Sequence, residues 1–171
     1  MPTTGEITMK NDFSTGRPWT WTPPPAMNRM LSILLRLPVL HHLLSNMILL
    51  ISFTGQKSGK HYVTPVGYQR QGSKVIILTK RFRQWWHNFE QSAPVELRIE
   101  GCDYQGQATV LTDVETMIPI IAHFLESHRR EAQAYGIKLL DNGKPDMNSV
   151  REVAPQLVVI QVELKSQQAT M

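Results

Sequence analysis

The sequence has almost no cysteine: Cys102 is the only one among 171 residues. An internal disulfide is therefore excluded, and the cysteine content gives no indication of an oxidising compartment. The N-terminus lacks the charged-then-apolar layout of a signal peptide, so we expect a cytoplasmic protein. A nucleophilic role for Cys102 is disfavoured, because no activating partner is recognisable near it.

Acidic residues are absent from the whole interval between Asp12 and Glu90. The same interval holds ten Lys and Arg residues, although the net charge of the chain is only +4. This asymmetry predicts an anionic partner and leaves four explanations open: phosphate groups, nucleic acid, an acidic membrane surface, or a solvated basic face. Nucleic acid is disfavoured because the basic residues do not alternate regularly with aromatic residues.

The sequence also lacks an uninterrupted apolar run of about 20 residues, the length that a membrane span requires. Its most apolar stretch, residues 31–53, is broken by Arg36, Pro38 and several other polar residues. We therefore predict two short helices that pack on a sheet, and peripheral membrane contact through the N-terminal helix stays open as the alternative. The first covers residues 27–37, where Met and Leu recur at helical spacing, and the second follows Pro38.

Residues 1–26 contain the run Pro23-Pro24-Pro25 and predict a flexible N-terminal arm. Residues 27–171 then form the single domain that this chain length favours. Trp19 and Trp21 are unusual for a disordered arm. They leave open packing on the domain, a dimer contact, or peripheral contact with the inner face of a membrane.

From residue 47 the apolar pattern changes to that of β-strands, rich in Val, Ile, Thr and Tyr. Gln71-Gly72-Ser73 and Gly101-Cys102-Asp103 predict hairpin turns. The predicted strands are residues 47–54, 62–70, 74–79, 95–100, 104–112 and 157–164.

Helices are predicted apart from these strands. Residues 85–90 form a helical turn, and Asp113 caps a helix that reaches about His128. A further helix covers residues 129–137 and ends near Gly136. Strands with segregated helices indicate an α+β domain, and the number of short strands favours a barrel or a strongly curled sheet.

One segment combines glycine, hydroxyl and lysine side chains between two predicted strands: Gly55-Gln56-Lys57-Ser58-Gly59-Lys60. Glycines let backbone N–H groups approach an anion, while Ser58 adds a donor and the two lysines add charge. The spacing is not that of a P-loop, and a strand follows instead of a helix. The segment predicts an anion site, although a basic hairpin loop would have a similar sequence.

The Thr-Gly-x-Lys-Ser-Gly pattern beginning at Thr54, the later Thr64-Pro65 and the Trp85-Trp86-His87-Asn88-Phe89 motif together resemble the deazaflavin-dependent nitroreductase family. The resemblance covers roughly residues 28–112. It implies an FMN-binding type of split β-barrel with about six strands and flanking helices. It also implies the deazaflavin coenzyme F-420, or FMN in some relatives, reduction of quinone-like or nitro-aromatic compounds, and a homodimer.

The resemblance also assigns site residues. Lys57, Ser58, Gly59 and Lys60 are expected to hold the anionic tail of the coenzyme, and Thr64, Pro65 and Val66 to line its ring. Thr79 is the expected catalytic residue, with its hydroxyl near the ring or the substrate. The remaining residues assigned to the cofactor are Lys80, Trp85, Trp86 and Asn88.

The sequence departs from the family after Thr79-Lys80, where many relatives carry a glycine-containing loop. Here Arg81 and Arg83 occupy that stretch and are candidates to replace the lost backbone contacts with charge. This departure keeps FMN open as an alternative cofactor. Because the hydride chemistry belongs to the cofactor, the protein needs no metal cluster or catalytic triad, and the sequence shows neither.

Three further candidates have structural interpretations that we favour over functional ones. The adjacent pair His41-His42 does not have the spacing of a metal site, His87 is favoured as structural, and Tyr135 as a residue of a helix surface. For the protein as a whole, a cofactor-dependent reductase is the leading hypothesis. The alternatives are an FMN-dependent reductase, a non-catalytic flavin- or haem-binding protein on the same barrel, and a protein that binds nucleic acid or an anionic membrane through its basic half.

Overall fold

A computed structural model describes residues 47–165 of the chain. Seven strands in this range form one antiparallel sheet in the order β2-β1-β5-β6-β7-β4-β3. The strands are β1 (Ile48–Thr54), β2 (His61–Gly67), β3 (Gln69–Gln71), β4 (Lys74–Lys80), β5 (Ala93–Ile99), β6 (Cys102–Leu111) and β7 (Leu157–Leu164). The α-helices are α1 (Val114–Ser127), α2 (Arg129–Tyr135) and α3 (Met147–Val153), and the 3-10 helices are Gln84–Phe89 and Ala154–Gln156.

The two outermost strands of the sheet, β2 and β3, are separated in the chain by Tyr68 alone. The sheet must therefore curl until its two edges meet at this residue. Tyr68 N–H donates to the Met47 carbonyl, and β2 contacts β4 beyond the end of β3. A curled antiparallel sheet with flanking helices is the α+β split-barrel architecture, which confirms the predicted fold class.

Side chains alternate between the two faces of the sheet. In β4, Val75 and Ile77 belong to the core inside the barrel, whereas Ile76 and Leu78 belong to a second core beneath the helices. β7 divides its side chains in the same way. Both strands are thus buried on two faces, which explains their nearly continuous apolar sequences.

Several predicted elements are confirmed. The last strand, residues 157–164, has the predicted bounds. Asp113 caps α1, its carboxylate accepting from Thr116 N–H at 2.9 Å. Gly136 ends α2 in the left-handed conformation, with φ of 79°. The helical turn predicted at residues 85–90 is the 3-10 helix Gln84–Phe89.

Two predictions about the sheet are wrong in detail. The strand predicted over residues 62–70 is two strands, because Tyr68 marks the point where the chain passes from one sheet edge to the other; the sheet therefore has seven strands. The turn predicted at Gly101-Cys102-Asp103 lies one residue earlier. Glu100 and Gly101 adopt φ of 50° and 82°, and Cys102 already pairs with Ile99.

Helix α3 was not predicted from the sequence. Asp146 caps it by accepting from Asn148 and Ser149 N–H. The predicted arm of residues 1–26 and the helices predicted within residues 27–46 lie outside the described residues, so the domain boundary at residue 27 stays a prediction.

Strand direction gives the sheet two distinct ends. β1, β4 and β6 run one way, and the other strands run against them. The loop after β1, residues 55–60, therefore lies at the same end as the β4–β5 connection, residues 81–92; we call this the loop end. The tight turns at Gly72–Ser73 and Glu100–Gly101 lie at the opposite, turn end.

Candidate functional site

The loop of residues 55–60 is closed by its own backbone. Gly55 N–H donates to the Lys60 carbonyl and Gly59 N–H to the Gly55 carbonyl, both at 2.8 Å. Gly59 has φ of +64°, a conformation that favours glycine. The closed loop presents Lys57, Ser58 and Lys60 to solvent. It has the donors and the positive charge that an anionic group needs.

Asn88 attaches this loop to the 3-10 helix Gln84–Phe89. Its side-chain Oδ1 accepts from the Gln56 backbone N–H, and its backbone carbonyl accepts from Gln56 Nε2, both at 2.9 Å. Asn88 Nδ2 donates to the Trp85 carbonyl at 2.8 Å. The amide of Asn88 thus binds the protein itself on both sides. Asn88, which the sequence assigned to the cofactor, therefore holds the loop of residues 55–60 in place.

Aromatic rings fill the space below the loop. The Phe53 ring stacks on Tyr62, with centroids 5.6 Å apart, and on Trp85 at 6.1 Å. Phe89 meets Phe53 edge to face at 5.1 Å. Trp86 is 5% exposed, and its indole N–H donates to the Arg81 carbonyl. Trp86 is therefore a core residue, while Trp85 is partly buried at the margin of the core.

Thr79 and Lys80 end β4 on opposite faces. Thr79 continues the inward row of Val75 and Ile77 and is 2% exposed. Its Oγ1 is buried with no hydrogen-bond partner among the described residues. Lys80 points outward, where its Nζ donates to the Ala134 carbonyl at 3.2 Å. The structure therefore places Lys80 against α2, away from the interior that Thr79 faces.

The predicted β2 residues also divide between the two faces. Thr64 and Val66 pair with Ile51 and Leu49, whose side chains point into the barrel, whereas Pro65 lies on the other face. Proline is tolerated here because β2 is an edge strand. Of the three predicted β2 residues, Thr64 and Val66 lie on the face that points into the barrel, as Thr79 of β4 does.

Helix α2 covers the seam between β2 and β4. Tyr135 Oη donates to the Leu78 carbonyl of β4 at 3.3 Å. One turn earlier, Glu131 lies against Gly67 of β2 so closely that a Cβ at that glycine would overlap its carboxylate. Glycine at position 67 thus makes room for Glu131. The prediction that Tyr135 belongs to the helix surface is wrong, because its ring packs against the core beneath the helices and its hydroxyl binds the backbone of β4.

Burial shifts the pKa of three groups along this seam. Burial, with a smaller effect of Arg83, lowers the pKa of Lys80. Burial and then the nearby Glu131 carboxylate raise the pKa of Tyr135, against an opposing effect of Arg83. Burial also raises the pKa of Glu131, which His128 opposes. Each shift favours the uncharged form, so the seam is an environment of low polarity.

The two arginines of the β4–β5 connection differ. Arg81 Nε donates to the Pro155 carbonyl at 2.8 Å, and its Nη2 to the Leu157 carbonyl at 3.4 Å, so Arg81 is engaged in holding the start of β7. Arg83 Nε is buried without a hydrogen-bond partner in residues 47–165. Of the two, Arg83 is the one with a buried donor that lacks a partner among the described residues.

His87 makes structural contacts on the 3-10 helix Gln84–Phe89. His87 Nδ1 lies 2.7 Å from Glu90 Oε1 and its ring stacks on Trp86. His41 and His42 lie outside the described residues. Within residues 47–165, no group of three or more His, Cys, Asp or Glu residues is placed to hold a metal ion. No helix in that part of the chain is long and apolar enough to cross a membrane.

The family model of the F420H2-dependent quinone reductases matches residues 37–136, more than half of the chain. This chain belongs to that family. The chain is therefore an oxidoreductase whose cofactor is F-420, as predicted. The matched range includes the loop of residues 55–60, Thr79 and the 3-10 helix Gln84–Phe89, which are the parts of the site at the loop end.

Several solved structures are similar to this chain at low sequence identity. A protein of unknown function from Agrobacterium tumefaciens is 14% identical, with a TM-score of 0.50 over 88% of this chain and 60% of that one. An F-420 reductase is 12% identical, with a TM-score of 0.41 over 79% and 93%. An FAD- and haem-binding protein from Mycobacterium smegmatis is 11% identical, with a TM-score of 0.45 over 72% and 68%. No curated protein matches the sequence.

The loop end fits F-420 in the chemistry of its donors. Its exposed loop offers a hydroxyl, two ammonium groups and backbone N–H groups, which suit an anionic tail. Its interior offers an apolar, aromatic surface with one unpartnered buried hydroxyl, that of Thr79, among the described residues. A planar, conjugated ring joined to an anionic tail matches both parts.

Proposed function

We propose that the protein reduces quinone-like, nitro-aromatic or other conjugated small molecules by hydride transfer from reduced F-420 at the loop end. Thr79 is the observation that carries this proposal. A buried hydroxyl without a partner costs folding free energy, and such groups persist where a ligand or a reacting group completes them. Thr79 is 2% exposed, and its Oγ1 has no hydrogen-bond partner among the described residues. Its side chain belongs to the inward row of β4, opposite the core residue Val158.

The proposed division of labour follows the geometry. Lys57, Ser58, Gly59 and Lys60 bind the anionic tail, and Gln56 with Asn88 keeps that loop in place. Thr64 and Val66 line the ring along the inward face of β2, whereas the predicted ring contact Pro65 lies on the outward face. Trp85 and Trp86 support the ring from the 3-10 helix. Lys80 contributes positive charge from the outer face, close to α2.

Bound F-420 supplies the hydride, and the protein supplies orientation and exclusion of water. Reduction of a quinone or nitro group also consumes protons, and in this proposal the hydroxyl of Thr79 donates a hydrogen bond where negative charge develops. The aromatic rings of Phe53, Trp85 and Phe89 keep water away from this end of the interior.

The proposal is tested by titrating the purified full-length protein separately with F-420, FMN and haem, following absorbance and fluorescence. We expect saturable binding of F-420 and at least tenfold weaker binding of the other two. Turnover of a quinone and a nitro-aromatic compound with reduced F-420 then defines the substrate class. Tighter binding of FMN or haem than of F-420 would overturn the proposal.

A homodimer remains a prediction from the family resemblance. β2 is an outer strand of the sheet, and its outward face includes Pro65, which donates no backbone hydrogen bond. Sedimentation velocity of the full-length chain decides between a monomer and a dimer, and a monomer at micromolar concentration contradicts the prediction.

A further inference from the structure

We propose that Tyr62 is a positioning residue of the anion site, which directs the Ser58 hydroxyl toward a phosphoryl oxygen of the ligand. This inference rests on the proposed function and deepens it. Tyr62 is 42% exposed, an unusual placement for an aromatic side chain whose ring stacks on the core residue Phe53. Its hydroxyl lies 3.1 Å from Ser58 Oγ.

The hydrogen-bond count at Ser58 determines the direction of that contact. A serine hydroxyl has one hydrogen to donate and two lone pairs to accept with. Lys60 N–H already donates to Ser58 Oγ at 3.3 Å, which uses one lone pair. If Ser58 donates its hydrogen to a phosphoryl oxygen, the contact with Tyr62 must use the second lone pair. Tyr62 is then the donor and Ser58 the acceptor.

This arrangement forms a chain in which Tyr62 donates to Ser58 and Ser58 donates to the anion. Hydrogen bonds in such a chain strengthen one another, because each donor is polarised by the bond it accepts. Tyr62 and Lys60 N–H together occupy both lone pairs of Ser58. The hydrogen of Ser58 is then the part of this hydroxyl that remains for the ligand.

The backbone at Gly55 preserves this geometry. A Cβ at Gly55 would lie 2.6 Å from Ser58 Oγ and 2.7 Å from Tyr62 Cε2, both closer than real Cβ contacts allow. The base of the loop therefore packs directly against the two hydroxyl-bearing residues. The stacking of Tyr62 on Phe53 fixes the ring from its other side. Neither partner can rotate far without breaking one of these contacts.

The test is a double-mutant cycle with Tyr62→Phe, Ser58→Ala and the combined variant. The phenylalanine retains the ring stacked on Phe53, so we expect the melting temperature to stay close to that of the wild type. Two ligands are used with the full-length protein. The dissociation constant of F-420 is measured by fluorescence, and the protection against thermal unfolding is measured with inorganic pyrophosphate. Tyr104→Phe removes a phenol hydroxyl at the turn end and serves as the control.

We expect Tyr62→Phe to weaken F-420 binding about three- to tenfold, the range for one neutral hydrogen bond. In the Ser58→Ala background the same change should have less than about a twofold effect, because the acceptor is already gone. Tyr104→Phe should bind as the wild type does. Equal effects of Tyr62→Phe in both backgrounds, or no effect in either, would overturn the role of Tyr62.

The pyrophosphate measurement separates this proposal from the proposed function. If the wild type fails to bind F-420, the proposed function is wrong, and Tyr62 is then judged by pyrophosphate alone. Protection that is present in the wild type and reduced in Tyr62→Phe supports the role of Tyr62. Protection that is equal in the two proteins contradicts it, and absence of protection in the wild type contradicts an anion site in this loop.

Discussion

The two ends of the sheet treat their charged residues differently. At the turn end, some charged groups are satisfied within the chain: Arg98 Nη1 donates to both carboxylate oxygens of Asp103 at 3.1 Å, and Ser73 donates to Glu163 at 2.8 Å. Lys74 and Lys165 at that end are exposed and form no ion pair with residues 47–165. At the loop end, Lys57 and Lys60 are exposed and form no ion pair with residues 47–165. The loop end therefore keeps positive charge available for an anionic ligand.

The same contrast extends to the packing of polar groups. The turn-end connections are short, and Gly72 and Gly101 adopt positive φ in them. The loop end has longer connections, attached to each other through Gln56 and Asn88, above an aromatic cluster. It also contains the unpartnered buried hydroxyl of Thr79. Of the three unpartnered buried polar atoms in the described residues, Thr79 Oγ1 and Arg83 Nε lie at the loop end, and Arg98 Nε lies near the turn end. The comparison teaches that the loop end combines such atoms with an exposed, lysine-bearing loop, a combination that suits a ligand.

The largest expected effect comes from removing the loop-end charge. The double variant Lys57→Ala with Lys60→Ala should weaken F-420 binding about ten- to a hundredfold, because two charge-assisted contacts are lost. Fluorescence titration at fixed salt measures this. The matched control is Lys74→Ala with Lys165→Ala, which removes the same charge at the turn end. Equal losses of affinity in the two double variants would abolish the distinction between the ends.

The next effect concerns turnover. Thr79→Val should lower kcat about tenfold while leaving the dissociation constant of F-420 nearly unchanged, since the hydroxyl acts mainly in the transition state. Its melting temperature should not fall, because the change removes a buried hydroxyl without a partner. Thr109→Val, on an exposed position of β6, is the control. Unaltered kinetics of Thr79→Val would make Thr79 an ordinary strand residue.

A matched pair of glycines separates loop function from backbone strain. Gly59 and Gly72 have φ of +64° and +61°, and a Cβ at either would meet no atom within 4 Å. Alanine at either position should therefore cost about 1 kcal/mol of folding stability. Gly59→Ala should also weaken F-420 binding about three- to tenfold, whereas Gly72→Ala should not. Chemical denaturation and titration give both quantities, and similar affinities of the two variants would refute the distinction.

The smallest expected effect is on pH-dependent stability. Burial raises the pKa of Glu131 above its usual 4.5, so the folded state holds this proton more tightly than the unfolded state. The stabilisation that protonated Glu131 contributes to the folded state is fully present below pH 4.5 and is lost as the pH rises through the raised pKa of Glu131. Glu131→Gln should therefore melt about 1–4 °C above the wild type at pH 8 and equal it below pH 4.5. A constant difference at all pH values would exclude this cause.

The strands whose bounds the sequence predicts best are those buried on both faces of the sheet. β4 and β7 are nearly continuous apolar runs, and their predicted bounds agree with the structure to within one residue. The turn at Glu100–Gly101 was placed wrongly because glutamate rarely adopts positive φ, so the glycine appeared to begin the turn. Helix α3 has seven residues, too few for an apolar stripe to show.

The site is predictable only where its residues are contiguous. The loop of residues 55–60 carries its chemistry in six adjacent residues, and the structure places it between β1 and β2 as expected. The attachment of Gln56 to Asn88 joins residues 32 positions apart, and no local pattern specifies such a pair. Side chains alternate along β4, so Thr79 and its neighbour Lys80 lie on opposite faces. The sequence did not reveal which face is the barrel interior, because both faces of β4 are covered by apolar cores.

Hydrogen exchange of the full-length protein, measured by mass spectrometry with and without saturating F-420, tests the assignment of the ligand to the loop end most directly. Ligand binding should slow exchange in residues 55–60 and in the 3-10 helix Gln84–Phe89, since Gln56 and Asn88 couple them. Exchange at Gly72–Ser73 and Glu100–Gly101 should be unchanged. Saturable F-420 binding that protects these turns and leaves residues 55–60 unprotected would contradict the account.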